Sequence, residues 1–193
     1  SNRYGTLIEG EYSSVSIADG DTAQQAVEEL YRHGHRRIAA LISRPNDQSI
    51  SQLRYEGYVQ ALESHGIPVD PELVISTGGF SAKDAYRAVQ EKMAENVDFT
   101  ALFAIADSMA IGAMRALMDA GRRIPEDCSV IAIDGLELSA YIEPPLTTLC
   151  QPMEEMGRRS AEILLDMVRH KGSHACELLP TTLRQGRSVA APR

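Results

Sequence analysis

The chain has 193 residues, of which 44% are apolar, 24% charged and 5% aromatic, enough to bury a core as one large domain or two small lobes. That composition excludes disorder, collagen-like repeats and a disulfide-stapled miniprotein. Lys plus Arg number 19 against 27 Asp plus Glu, a formal charge of −8, and no basic run breaks the balance, so this chain is not itself expected to bind nucleic acid. Cys128, Cys150 and Cys176 are widely spaced with no CxxC pair. This argues against a disulfide framework or a zinc site, suits a reducing, cytoplasmic compartment, and leaves each cysteine as an expected small buried hydrophobe. No apolar stretch approaches the roughly 20 residues of a membrane helix, and the opening Ser1-Asn2-Arg3-Tyr4 has no signal-peptide core.

In chain order, helical periodicity alternates with short β-rich runs. A β-like segment at 14–17 precedes a helix with Ala23, Ala26, Val27, Leu30 and Tyr31 on one face, an N-cap expected at Asp21 or Thr22, and a stop at Gly34. Residues 37–42 are nearly all apolar, as in a strand covered on both faces. A polar loop at 43–48 then feeds a helix carrying Leu53, Tyr58, Ala61 and Leu62. A strand at 73–76 and a Gly78-Gly79 turn lead to a helix capped by Ser81, with Asp84 completing a capping-box variant. The strand at 100–105 runs straight into a helix from Asp107 to Gly121, and strands follow at 129–133 and 146–149. Pro152 opens a helix presenting Met153, Met156, Ile163, Leu164 and Met167, and 177–187 reads as an extended edge segment. Strand and helix in alternation predict an α/β fold, a doubly wound, mainly parallel sheet with helices on both faces.

In such sheets ligands bind in the crevice beyond the carboxyl ends of the strands. The polar and aromatic residues falling there are the 43–50 loop with Arg54, then Phe80, Asp107 and Asp134. Asp134 ends the apolar run Val130-Ile131-Ala132-Ile133 and so needs a partner. That partner is either a helix N-terminus or backbone nest, or the hydroxyl groups of a ligand. Catalytic signatures are absent: the chain has no GxSxG elbow, Walker A loop or GxGxxG. His33 and His35 lack a nearby third ligand, and His35 is expected to cap the helix end or pack at the base of the next strand.

Five ordered strings carry a resemblance. They are Gly34-His35-Arg36-Arg37-Ile38-Ala39, then Arg54-Tyr55-Glu56-Gly57-Tyr58, then Asp107-Ser108-Met109-Ala110-Ile111-Gly112-Ala113, then Pro125-Glu126-Asp127-Cys128-Ser129-Val130-Ile131-Ala132-Ile133-Asp134, and Pro145-Leu146-Thr147-Thr148-Leu149-Cys150-Gln151-Pro152. With the tail Leu183-Arg184-Gln185-Gly186-Arg187-Ser188, they resemble the effector-binding region of the LacI/GalR family of bacterial transcription regulators from about residue 14 onward. The resemblance implies a periplasmic-binding-protein-like type I fold of two lobes that clamp a sugar, nucleoside or similar effector, with no cofactor. It implies that Arg54 contacts the ligand, Asp134 accepts from its hydroxyls, Phe80 packs on its flat face, and Gln151, Gln48 and Ile50 contribute. It also implies that the DNA-binding part and most of the N-terminal lobe lie outside this chain. Residues 1–19 are then a remnant of that lobe and the first crossover, 20–148 the C-terminal lobe, 149–172 a crossover and a helix normally packed on the N-terminal lobe, and 173–193 a returning strand and tail of the C-terminal lobe.

One position departs from the family's pattern: Ala106-Asp107 stands where Asn-Asp is common, which removes an amide from the site and leaves Asp107 as an expected N-cap. Met109, Met114 and Met118 cover more than one face of their helix, and Tyr141 and Ile142 crowd the loop after Asp134. These five are expected at a homodimer interface, which suits a palindromic operator reached through the absent DNA-binding part. The apolar residues of the helix at 152–170 are expected to dock on a sheet of their own or of a neighbouring chain in a non-family position, the alternative being a poorly ordered helix, and the intact helix signals favour docking. Two other readings stay open, an exported free-standing sugar-binding protein of the same fold and a small doubly wound enzyme.

Overall fold

The computed structural model describes residues 12–43, 50–170 and 174–193. Its main body is a six-stranded sheet in the order β3-β2-β4-β5-β6-β8, built from β2 (Ile38–Ser43), β3 (Val74–Thr77), β4 (Ala101–Ala104), β5 (Ser129–Asp134), β6 (Thr147–Cys150) and β8 (Thr182–Arg184). Every pairing in it is parallel except that of β8, which runs antiparallel along β6. The α/β expectation therefore holds, and the apolar run of β2 is buried at every position because layers cover both faces.

Helices α1 (Asp19–Arg32) and α2 (Ile50–Ser64) pack together on one face, and α3 (Ala82–Ala94) and α4 (Asp107–Asp119) on the other. At the α1–α2 crossing, a Cβ on Gly57 would stand 2.1 Å from the Gly20 carbonyl oxygen, so only glycine permits that approach. Ser81 caps α3 as its spacing predicts, its Oγ accepting from the Asp84 amide at 3.1 Å. Helix α1 instead begins at Asp19, upstream of the expected Asp21 or Thr22 cap, because its first residue is drawn inward to a buried partner described below.

A second, two-stranded parallel sheet pairs β1 (Ser14–Ile17) with β7 (Cys176–Leu179), and α5 (Met153–His170) lies against β1. Of the segment that follows α5, β7 joins β1, while β8 and the tail join the large sheet. The reason is register: β7 finds an open edge on β1, and the turn before Thr182 brings β8 back to β6. Of α5's expected inward residues, Met153 and Leu164 are 66% and 60% exposed, and Leu165 and Val168 join them at the surface.

The tail is held at the opposite end of the body from the strand carboxyl ends. Ser188 Oγ donates to the Val130 carbonyl at 2.6 Å and accepts from the Thr147 amide at 2.8 Å. His35 is buried at the base of β2, one of its two expected places, with Nε2 2.8 Å from the Ala190 carbonyl and Nδ1 2.9 Å from Thr100 Oγ1. Burial holds its imidazole below the usual pKa range, against the Ala190 hydrogen bond, with His33 and Arg36 adding to the downward push. Of the cysteines, Cys128 is a buried hydrophobe with its thiol pushed up to about 12 by burial, whereas Cys150 is half-buried and Cys176 exposed. Among the described residues, no helix is long and apolar enough to cross a membrane.

Candidate functional site

Strands β2, β4, β5 and β6 are parallel neighbours, so the residues that follow them gather at one end of the sheet. Arg54, on α2 just after β2, is only 3% exposed there. Its Nε donates to Asp19 Oδ1 at 2.8 Å, and its Nη1 donates both to the Ile105 carbonyl after β4 and to Asp134 Oδ1 at 3.1 Å. A buried guanidinium needs such compensation, and Asp19, itself 6% exposed, supplies the most enclosed part of it.

Asp134 closes β5 with a backbone φ of +135°, a conformation non-glycine residues seldom adopt and one that costs about 1–3 kcal/mol. The next residue, Gly135 at φ +77°, lets the chain turn back where a Cβ would lie 2.5 Å from Cys150 Sγ. The bend aims the Asp134 carboxylate across the strand ends. Gln151, just past β6, donates from Nε2 to the same Oδ1 at 2.7 Å, and its amide donates to the Asp134 carbonyl at 3.1 Å. One oxygen of Asp134 thus receives both donors, and among the described residues Oδ2 is left as an acceptor on a side chain 25% exposed.

Asp107 is not an N-cap. Ala106 occupies the cap with no side-chain hydrogen bond, and the Asp107 carboxyl is fully buried. It accepts from Thr148 Oγ1 at 2.5 Å, from Ser139 Oγ at 2.7 Å and from the Leu136 amide at 2.8 Å. Burial raises its pKa, and those three hydrogen bonds pull the other way. Arg184 turns its guanidinium to the Gly135 and Leu136 carbonyls and to Ser139. Asp107 therefore braces the turn that follows Asp134.

Of the expected site residues, Arg54, Asp134 and Gln151 come together. Phe80 lies beyond edge strand β3, 44% exposed, with its carbonyl accepting from Ser108 Oγ at 2.7 Å. That bond ties its backbone to the start of α4. Ile50 begins α2 and is partly exposed, and Gln48 lies outside the described residues. Sequence reasoning missed Asp19, although it follows β1 directly and so meets the same strand-end criterion that singled out Asp134.

The expected interface set divides. Met109 and Met114 are buried in the core, since α3 covers the side of α4 that the sheet leaves open, and they are not available to a partner chain. Ile142 is partly buried against the core. Met118 and Tyr141 are exposed, the latter at 78%, alongside Leu136 and Leu138.

Residues 27–189 match the profile of the periplasmic binding protein-like domain. The HTH-type transcriptional repressor CytR of Escherichia coli (strain K12) is 38% identical over 175 residues, which are 88% of this chain and 51% of the relative. Among solved structures, a complex of the transcriptional regulator CelR with cellobiose has a TM-score of 0.89 at 33% identity, covering 97% of this chain and 57% of that one. A LacI family transcriptional regulator from Enterococcus faecium with bound ribose has a TM-score of 0.86 at 32% identity, covering 97% and 69%. The chain spans about half the length of the curated relatives it matches.

Proposed function

Because the chain belongs to the periplasmic binding protein-like domain family, as the ligand-binding region of a LacI-family transcriptional regulator, we propose that it senses a small hydroxyl-bearing effector at Arg54, Asp134 and Gln151 and so controls DNA binding elsewhere in the whole protein. The observation that carries this reading is the buried Arg54 guanidinium, fixed by Asp19 and aimed at Asp134 where the carboxyl ends of four parallel strands meet. The bound cellobiose and ribose of the two related structures are hydroxyl-rich sugars, and a partly exposed carboxylate beside a fixed planar donor suits that chemistry. Phe80 supplies an aromatic surface at the same end of the sheet.

In this reading residues 20–148 form most of one lobe, the regulator acts in the cytoplasm, and its work is binding rather than catalysis. Association as a homodimer uses the exposed Met118 and Tyr141, with Leu136 and Leu138 beside Tyr141. Operator binding and effector response, measured on the whole regulator by gel shift with and without the effector, test the assignment. Arg54→Ala and Asp134→Ala are each expected to abolish the response while leaving operator affinity within about threefold, a difference of under 1 kcal/mol. Equal loss of both properties would make these residues structural and refute the assignment.

A further inference from the structure

Arg54 is a cation with little left to give. Its Nε is spent on Asp19 and its Nη1 on the Ile105 carbonyl and Asp134, so only Nη2 makes no hydrogen bond among the described residues. A phosphate or carboxylate is recognised by arginine through two parallel N–H donors, and that fork is already closed. The immediate charge count among the described residues is two carboxylates, Asp19 and Asp134, to one guanidinium, with the Asp107 carboxyl buried behind them and paired with Arg184 at 4.0 Å.

Among the described residues, most other sources of positive potential are also answered. Helices α1 and α4 point their N-termini toward this end of the sheet, but their first turns carry Asp19 and Asp21, and Asp107. Helix α3 carries Asp84 in its first turn behind the Ser81 cap. Arg184 is directed at carbonyls and Ser139 and pairs with Asp107 at 4.0 Å, which leaves Lys83, exposed on α3, as the cation among these with no ion pair among the described residues.

We infer that this site is built to take an uncharged effector and to reject a phosphorylated or carboxylated one, with Asp134 and Asp19 as the residues that set the discrimination. The inference rests on the effector-site reading above and narrows its ligand class. A neutral polyol or ring compound donates to Asp134 Oδ2 without displacing Arg54. An anion placed there meets that carboxylate at close range, where like charges repel in a partly desolvated pocket.

Inorganic phosphate is the direct probe. Titrated calorimetrically into the whole protein at low ionic strength, it is expected to give no binding that Arg54→Gln removes. Asp134→Asn, which keeps the side-chain shape but drops the charge, is expected to gain such binding. Arg54-dependent phosphate binding by the wild type overturns the inference, and so does failure of Asp134→Asn to gain it. In a second arm, neutral sugars and nucleosides are screened by thermal shift against their own phosphate esters. Each neutral compound that binds is expected to exceed its ester at least about tenfold, and an ester that binds as tightly as its parent overturns the inference. Absence of any neutral binder would count against the effector-site reading, a result the phosphate arm does not produce.

Discussion

The six-stranded sheet and the β1–β7 pair are both made of short, mostly parallel strands, yet they bury their side chains very differently. Every residue of β2 and β4 is buried, whereas β7 alternates between exposed and half-buried, with Leu178 at 64% exposure. The body has neighbours on both sides of each inner strand and helices over both faces. The small sheet has α5 against β1, a cavity of about 260 Å³ between them lined by Ser13, Val15, Ile163 and Met167, and an apolar row on α5 facing outward. A parallel strand draws its stability from burial on both faces, so the body is complete in itself and the β1–β7–α5 layer is one cover short. The candidate site belongs to the body through Asp134, Arg54 and Gln151, but its buried anchor Asp19 is the first residue after the crossover from the small sheet.

The sharpest way to break this comparison is to remove a side chain from the body. Phe103 on β4 is fully buried and stacks at 6.4 Å from Tyr58, whose hydroxyl donates to the Ile38 carbonyl. Phe103→Ala is expected to cost about 3–5 kcal/mol, read as a lower urea midpoint with an unchanged slope. A loss below about 1 kcal/mol would mean that the body is no better packed than the small layer.

A subtler effect comes from the buried contact that fastens the tail to the body. His35 is buried with Nε2 facing the Ala190 carbonyl and Nδ1 facing Thr100 Oγ1. Its folded pKa lies below the unfolded value of 6.5, so the unfolded state binds the proton first. The contribution of His35 to stability is therefore full above that value and declines as pH falls toward the folded pKa. Urea midpoints are expected to drop on acidification from neutral pH through this window, and His35→Gln is expected to shrink that drop. An identical pH dependence in the variant would assign the acid sensitivity to other groups.

These two regions also differ in how far they can be read from the sequence. Apolar runs and helix periodicity identify the helices and the parallel strands of the body, because burial on both faces leaves an uninterrupted pattern in residues such as 38–42, whereas the exposed β8 is not separated from β7 within the extended segment 177–187. Arg54 and Asp134 are legible for a related reason: a polar residue at the end of a buried strand has few places to go. Asp19 escapes because its partner lies 35 residues away and a first-turn aspartate has a local explanation. Asp107 escapes similarly, since its partners Ser139 and Thr148 are 32 and 41 residues distant. Met109 and Met114 escape because periodicity counts apolar faces without knowing that α3 covers one of them. The exposure of α5 is the opposite case, since its pattern is that of a buried helix and only the three-dimensional arrangement leaves the face open.

That open face supports the smallest effect. Leu164 and Val168 stand one helical turn apart on α5, 60% and 75% exposed, so in this chain most of their surface meets water in the folded and unfolded states alike. A substitution that changes both states equally leaves their difference untouched. Leu164→Ser with Val168→Ser is therefore expected to shift the stability of the chain by no more than about 0.5 kcal/mol, the range of surface changes. The cost of exposure should show instead in association. If the row is an uncovered packing surface, the parent chain self-associates in a concentration-dependent way that sedimentation detects, and the double variant does so less. A stability loss near the about 1.5–3 kcal/mol of a fully buried aliphatic side chain would show that α5 is covered, and would place the β1–β7–α5 layer on the same footing as the body.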